Sequence, residues 1–328
     1  MRLFVTGATG FIGSRLALAA TEQGHAVVAS GMAETPAARE NAEELRRAGI
    51  ELRIEALDEA ARASEALAGV EAVIHLAAAQ HEMNVPDAHF RKVNVEGSMA
   101  LLAAARSAGV GRFVHGSTIG VYGESEGTVD ESTPPAPSNI YGVTKLEGER
   151  AVLAAANGLP VVAVRISEVY GPGDRRLLKL FRAVKRGRFF HIGPGENLHH
   201  AIYVDDLVRG LLLAARHPGA GGEVFVLPGK DAVTTNQMVD AIAAAVGARA
   251  PTLRMPLAPF MAAAIVLETV LRPMGIQPPL HRRRMDFFRK SFRLNGAKAA
   301  ARLDFRPEIG FREGAERTAR WYERNGLL

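Results

Sequence analysis

The chain contains no cysteine. Disulfides, thiolate metal sites and a thiol nucleophile are therefore excluded, and the composition fits a reducing compartment such as the cytoplasm. Nor does any apolar run approach the roughly 18 residues needed to cross a bilayer. The longest candidate, residues 257–271, is interrupted by Pro259 and Glu268. A leader segment is not expected either, because a strand pattern begins at residue 2. Uniformly basic character is also missing. The net charge is +5, but Arg282, Arg283, Arg284, Arg289, Lys290 and Arg293, opposed only by Asp286, supply that excess within one segment. Nucleic acid is thus a poor expectation for a partner, and a small molecule the natural one.

What is present starts at the first residues. Leu3–Val5 forms a short apolar run, followed directly by Gly7, Gly10 and Gly13 and then by a helical pattern from Ser14. Spaced glycines alone mean little in a chain with 33 of them. Placed between a strand and a helix, they describe a dinucleotide site: a tight turn, a backbone close enough to meet a pyrophosphate, and a helix N-terminus aimed at it. Gly7, Thr9, Gly10, Phe11, Ile12 and Gly13 are the candidate cofactor-binding residues of this stretch.

The pattern continues as alternating strands and helices. Strands are expected at Ala26–Ala29, Glu51–Ile54, Ala72–Leu76 and Arg112–His115, with helices at Ala37–Ala48, Glu59–Leu67 and Arg91–Ala108. Such alternation predicts an α/β fold with a parallel sheet covered on both faces. Leu76, Ala77 and Ala78, small or apolar at the end of the fourth strand, would let a cofactor approach the backbone. After the second strand an acid normally selects NAD and an arginine NADP. Ser30, Gly31 and Met32 offer neither, leaving the choice between NAD and NADP open; Arg15 or Arg39 could reach a 2′-phosphate, with solvated surface arginines as the plainer reading. The fifth strand runs into the hydroxyls Ser117 and Thr118, where open α/β sheets bind ligands. A helix capped by Ser138 or Asn139 then puts Tyr141 and Lys145 on one face.

These pieces together carry a resemblance. Thr6–Gly13, His75–Ala78, Asn94–Gly97, Ser117–Gly123, Tyr141–Lys145, Arg165–Gly173 and Tyr203–Leu207 are similar, in order and spacing, to extended short-chain dehydrogenases/reductases of the NAD-dependent epimerase/dehydratase family. The resemblance implies a Rossmann-type doubly wound sheet within residues 1–170, with returning segments near 201–228. It also implies a smaller substrate-binding lobe from residues 171–200 and 229–328, and a homodimer packed through the helices of Asn94 and Tyr141. One departure is Ala56, where family members usually carry an aspartate facing the adenine.

The implied chemistry is hydride transfer. A lysine ammonium one turn away favours a tyrosine phenolate, so Tyr141 would exchange the substrate proton while Lys145 also bonds the ribose. Thr118 would hold the substrate oxygen, and Asn94 would position a relay water. Tyr141 and Lys145 count among the cofactor-binding residues as well. A dinucleotide sensor without turnover is a third functional class, but such proteins typically lose the Tyr/Lys pair kept here.

Substrate class turns on two further departures. Nucleotide-sugar enzymes usually carry an asparagine where this chain has Glu168 and an arginine where it has His199, next to His200. Two anion-binding positions are thus missing, which argues against a nucleotide sugar. The apolar Met255–Leu271, Pro278–Leu280 and the basic Arg282–Arg293 are instead similar to the 3β-hydroxysteroid dehydrogenase-like branch. A secondary alcohol or ketone in a bulky apolar molecule, steroid- or flavonol-like, is the expected substrate, with a nucleotide-sugar epimerase or dehydratase as the alternative. An apolar helix beside a basic cluster can rest weakly on a membrane surface through residues 257–293. A lid packed on the core beside solvated arginines is the plainer expectation.

Overall fold

A computed structural model of the chain describes residues 1–62, 64–80, 85–124, 127–271, 276, 280 and 282–328. Pro278, Pro279 and the side chains of Arg282, Arg283 and Arg284 lie outside the described residues. The first half alternates as expected: β1 (Arg2–Thr6), α1 (Phe11–Glu22), β2 (Ala26–Gly31), α2 (Pro36–Arg47), β3 (Glu51–Ile54), α3 (Leu57–Arg62) and β4 (Ala72–His75). Next come α4 (Asp87–Arg91), a π-helical segment (Lys92–Gly97), α5 (Ser98–Ser107), β5 (Arg112–Thr118), β6 (Thr128–Val129) and α6 (Ile140–Ala154). The later chain contains β7 (Val161–Ile166), β8 (Val169–Tyr170), α7 (Leu178–Lys185), β9 (His191–Ile192), β10 (Leu198–His199), β11 (Ile202–Tyr203), α8 (Val204–Arg216) and β12 (Val224–Leu227). It ends with β13 (Val233–Thr234), α9 (Thr235–Ala245), β14 (Arg254–Met255), α10 (Leu257–Leu271), α11 (Arg282–Arg289), β15 (Arg293–Leu294), α12 (Ala297–Leu303) and α13 (Phe311–Arg324).

Seven strands form one sheet in the order β12-β7-β5-β4-β1-β2-β3, and every pairing in it is parallel. Strands buried on both faces read as continuous apolar runs, and all six residues of β7, VVAVRI, are buried. On one face Leu3, Val5, Val114 and Val162 pack under Leu16 and Ala17 of α1 and Leu207 and Leu211 of α8. On the other, Phe4, Val73 and Phe113 pack under Leu101 and Leu102 of α5 and Val152 of α6. The chain crosses from one side of β1 to the other between β3 and β4, and ligands of such sheets bind at that reversal.

Several boundaries differ from the sequence expectation. Helix α1 begins at Phe11, directly after Gly10, so its first turn belongs to the glycine stretch itself. The helix expected over 59–67 is α3 followed by a 3₁₀ turn at Ser64–Leu67. The lobe is also interrupted: Ala299, Leu303 and Phe305 pack in the same cluster as Phe225 and Leu227 of β12. Residues 297–305 thus return to the sheet, while Tyr170, Phe181, Ile242, Phe311 and Tyr322 build a separate lobe core from α7, α9 and α13. A further small cluster joins Phe190 and Ile192 to Phe260 of α10 and to Met285 and Phe288 of α11.

Candidate active site

The glycine stretch forms one wall of a cleft of about 1090 Å³ at the carboxyl end of the sheet. Gly7 sits at φ +68°, and a Cβ there would come within 2.8 Å of Ala77 N and 2.9 Å of Leu76 C. The turn therefore requires glycine twice over, for its left-handed backbone and for its contact with the end of β4. At Gly13 an added Cβ would collide with the Gly7 carbonyl, so the third glycine lets α1 press against the loop. No side chain caps α1, and its first turn holds no acid. Its N–H groups and positive dipole end are thus left for an anion. This cradle fits a dinucleotide pyrophosphate. Gly7, Thr9, Gly10, Phe11, Ile12, Gly13, Leu76, Ala77, Ala78, Thr118, Tyr141 and Lys145 all line the cleft.

Helix α6 supplies the central pair. Of the two expected caps it uses Asn139, whose side chain accepts the Gly142 N–H at 2.9 Å. Once that start is set, Tyr141, Lys145 and Glu149 stack at successive turns on one face. Lys145 is 2% exposed. Burial pulls its ammonium down to about 8, against the raising effect of the Glu149 carboxylate. Thr118 ends β5, where its hydroxyl oxygen accepts the Gly120 N–H at 3.0 Å. That leaves the hydroxyl hydrogen available to donate to an oxygen in the cleft.

Behind the pair lies a buried polar layer that the sequence reading did not identify. Arg165 donates to Glu149 at 2.6 Å and to the Tyr122 hydroxyl at 2.7 Å, while Ser117 donates to the same carboxylate at 2.6 Å. The available signal was Glu149 itself, spaced four residues after Lys145. His75 lies in the same layer with both ring nitrogens engaged, by Thr6 Oγ1 at 2.7 Å and Ser98 Oγ at 2.9 Å. Burial, and then the Lys145 charge, lower its pKa to about 3. His115 packs against it, ring centroids 5.4 Å apart and tilted, and is held neutral by burial, then the Lys145 charge and His75; among the described residues neither of its ring nitrogens has a partner.

Asn94 lies outside the cleft lining. It sits in the π-helical segment with no exposed surface. Its amide oxygen accepts the Ala79 N–H at 2.9 Å, and its amide nitrogen donates to Ala79 O at 3.0 Å and Thr144 Oγ1 at 3.0 Å. With both ends of the amide used, the Asn94 side chain ties the loop after β4 to α6.

The far end of the cleft carries the acids that Ser30–Met32 and Ala56 lack in sequence. Glu34, Glu55 and Asp58 all line it, with Arg53 beside Glu55 at 3.1 Å. Of the two arginines considered for a 2′-phosphate, one is engaged elsewhere and the other is held against the loop of Glu34. Arg15 pairs with Asp205 at 2.7 Å, and Arg39 donates to the carbonyls of Ala33 at 3.1 Å and Glu34 at 2.9 Å.

Glu168 and His199 are not among the cleft-lining residues, which here include Ser167, Val169 and Arg176; they engage each other. The His199 Nδ1 donates to the Glu168 carboxylate at 3.3 Å. Enclosure in the fold pushes that carboxyl up, but the His199 bond, the His199 charge and the Arg176 charge together outweigh it and hold it below the usual range. Half of the Glu168 side chain is still open to water. His199 Nε2 meets Thr235 Oγ1 at 3.0 Å, Thr235 donates to Asn197 at 2.8 Å, and Asn197 donates to the Phe287 and Lys290 carbonyls of α11 and its end. His200 points elsewhere, to Gly229 O at 3.0 Å and Leu294 N at 3.0 Å. The adjacent histidines are therefore structural, and among the described residues no group of three His, Asp or Glu is placed to hold a metal.

Comparison with known proteins agrees with this geometry. A sequence profile of the NAD dependent epimerase/dehydratase family matches residues 3–227. The chain is 31% identical to a 4-hydroxy-2-methyl-3-oxo-4-farnesyl-3,4-dihydroquinoline-1-oxide ketoreductase of Stigmatella aurantiaca, covering 96% of this chain and 95% of that one. It is 29% identical to a 3beta-hydroxysteroid-dehydrogenase/decarboxylase of Arabidopsis thaliana, over 77% of this chain and 49% of that one. Among solved structures, the dTDP-glucose 4,6-dehydratase DesIV of Streptomyces venezuelae, crystallised with NAD, superposes with a TM-score of 0.78 at 28% identity over all of both chains. The chain is thus a member of the NAD-dependent epimerase/dehydratase family, an enzyme of the extended short-chain dehydrogenase/reductase type.

Proposed function

We propose that the protein is an NAD-dependent oxidoreductase that interconverts a secondary alcohol and a ketone on a bulky, mostly apolar substrate. The observation that carries this reading is the Glu168–His199 pair. A carboxylate where nucleotide-sugar enzymes usually carry an asparagine would repel a pyrophosphate brought near it, and the histidine where they usually carry an arginine is spent on that carboxylate. The named activities of the ketoreductase and hydroxysteroid dehydrogenase relatives, both on lipophilic molecules, support the same class. The DesIV likeness favours the nucleotide-sugar alternative; the charge at Glu168 weighs against it.

When bound, the nicotinamide gives or takes the hydride at the carbinol carbon. Tyr141 gives the matching proton to the developing alkoxide, or takes it from the hydroxyl in the opposite direction. Lys145, a buried cation one turn away, favours the phenolate and so brings that proton transfer toward neutral pH. Thr118 donates its free hydroxyl hydrogen to the same oxygen. Gly7 to Gly13 and the first turn of α1 hold the pyrophosphate, and Leu76–Ala78 form the floor beneath it. Glu34, Glu55 and Asp58 at the adenosine end select NAD over NADP, because a 2′-phosphate would enter among carboxylates. We further propose a cytoplasmic homodimer packed through α5 and α6, consistent with the absence of cysteine.

The test is a turnover screen at the reduced-nicotinamide absorbance, with sterols, flavonols, aliphatic ketones and nucleotide sugars, each with both cofactors. Net cofactor turnover on an apolar alcohol or ketone is expected. Tight, competitive binding of UDP- or dTDP-sugars would overturn the reading.

A further inference from the structure

Helix α10 is turned inside out for a protein in water. An amphipathic surface helix buries its apolar stripe and shows polar residues to solvent. Of the fifteen residues of α10, the two that are buried are Ala264 and Glu268. The helix's single charge thus faces inward. Its outer face presents Ala258, Ala262, Ile265, Val266 and Val270, with Ile265 at 45%, Val266 at 60% and Val270 at 54% exposed. The one hydroxyl there, on Thr269, is satisfied within the helix by donation to Ile265 O at 2.9 Å. Just before α10 in the chain, Leu253 is 61% and Met255 40% exposed. Among the described residues the α10 part of this surface is otherwise apolar, and a patch of this kind marks an interaction site.

We infer that the outer face of α10, with Leu253 and Met255, docks the protein onto an anionic lipid bilayer surface. Charge complementarity selects this occupant. Arg254 stands between the two exposed apolar residues, and its guanidinium meets only neutral groups, Pro194 O at 2.9 Å and Asn236 Oδ1 at 3.2 Å. Arg188 lies two residues before Phe190, whose ring packs on Phe260 of α10 at 5.7 Å. With Lys179, Arg182 and Arg186 it lines a shallow basic groove, and among the described residues no acid pairs with Lys179, Arg186 or Arg188. An apolar helix face beside cations that no acid neutralises is how interfacial helices meet anionic headgroups.

Size argues against a second copy of the chain as the occupant. A fifteen-residue helix presents a strip of about 22 by 10 Å, far below the roughly 800 Å² per partner of a stable interface. Shallow insertion of a single helix needs no larger area. The position also suits the proposed substrate class: α11 contacts α10 through Phe288 and, through Phe287, stacks on His199 at 4.7 Å. A lipophilic molecule leaving the bilayer at α10 would be one helix away from Glu168.

The experiment is flotation of the full chain with phosphatidylcholine vesicles, with and without phosphatidylglycerol, comparing wild type with Ile265→Glu and Val266→Glu. Neither residue belongs to the cofactor cleft, so reduced-nicotinamide binding by each variant checks that it folds. Wild type is expected to float with the anionic vesicles and less with the neutral ones, and added salt should release it. Each substitution is expected to weaken partition about tenfold or more, the worth of one buried aliphatic side chain. Failure of wild type to float, or variants that float as well as wild type, overturns the proposal. So does a dimer in light scattering that Val266→Glu converts to monomer without any lipid binding by wild type. Failure of the redox screen, by contrast, would leave the flotation result standing.

Discussion

Lys145 holds a charge where the fold would prefer none, because burial draws its pKa from 10.5 to about 8. Below about 8 it is protonated in both the folded and unfolded chain, and the folded state then bears the full penalty. Between about 8 and 10.5 the unfolded chain binds more protons, so stability rises with pH in that window. The shift corresponds to about 3 kcal/mol. Lys145→Met is therefore expected to abolish turnover without lowering the melting temperature at pH 7, and its relative stability over wild type should shrink toward pH 10. Thermal melts across that range check the sign. Tyr141→Phe keeps the ring and removes the proton donor; turnover should fall by about 10² to 10⁴ with reduced-nicotinamide binding unchanged. Glu168 predicts in the other direction. Replacing it with Gln removes a charge held below the usual carboxylate range by His199. Affinity for a UDP-sugar, measured by calorimetry, is then expected to rise about tenfold or more.

At the scale of elements, α6 joins catalysis to stability. Its inner face carries Tyr141 and Lys145 toward the cleft and Glu149 toward Arg165 and Ser117. Removing one member of a buried ion pair strands the other, so Glu149→Ala should cost about 3 to 5 kcal/mol in denaturant unfolding. Much of this was legible in the sequence, because the apolar runs of β1, β4 and β5 and the glycine turn after β1 are local signals. Asn139 as a cap and the Tyr141–Lys145 spacing were legible for the same reason. The π-helical segment at Lys92–Gly97 was not, since its residues follow the same apolar pattern as an α-helix. The side-chain partners of Asn94, Ala79 and Thr144, are distant in sequence and so were not legible either. The acids at Glu34, Glu55 and Asp58 were hidden similarly, since two loop positions and the first turn of α3 meet only once β2 and β3 lie side by side.

The whole molecule divides into a half that local pattern describes and a half that it does not. Through β5 each strand pairs with a neighbour set by the alternation, and the sheet order follows. Beyond α6 the chain passes several times between sheet and lobe. Residues 297–305 return to the sheet because Leu303 and Phe305 fill the space under β12, a tertiary requirement with no local signature. The same part of the chain holds the substrate side, which is why the cofactor grip was readable and the substrate was not. Net redox chemistry consumes the reduced cofactor, whereas an epimerase or dehydratase returns the hydride to its own substrate. Both would use Tyr141, Lys145 and the same cleft. The decisive measurement is label transfer: NADH carrying deuterium at the transferable position, an apolar ketone found by the screen, and mass spectrometry of the product. The account predicts an alcohol product carrying the deuterium, formed in step with loss of NADH. Interconversion of a nucleotide sugar with no consumption of NADH and no deuterium in the product would contradict it.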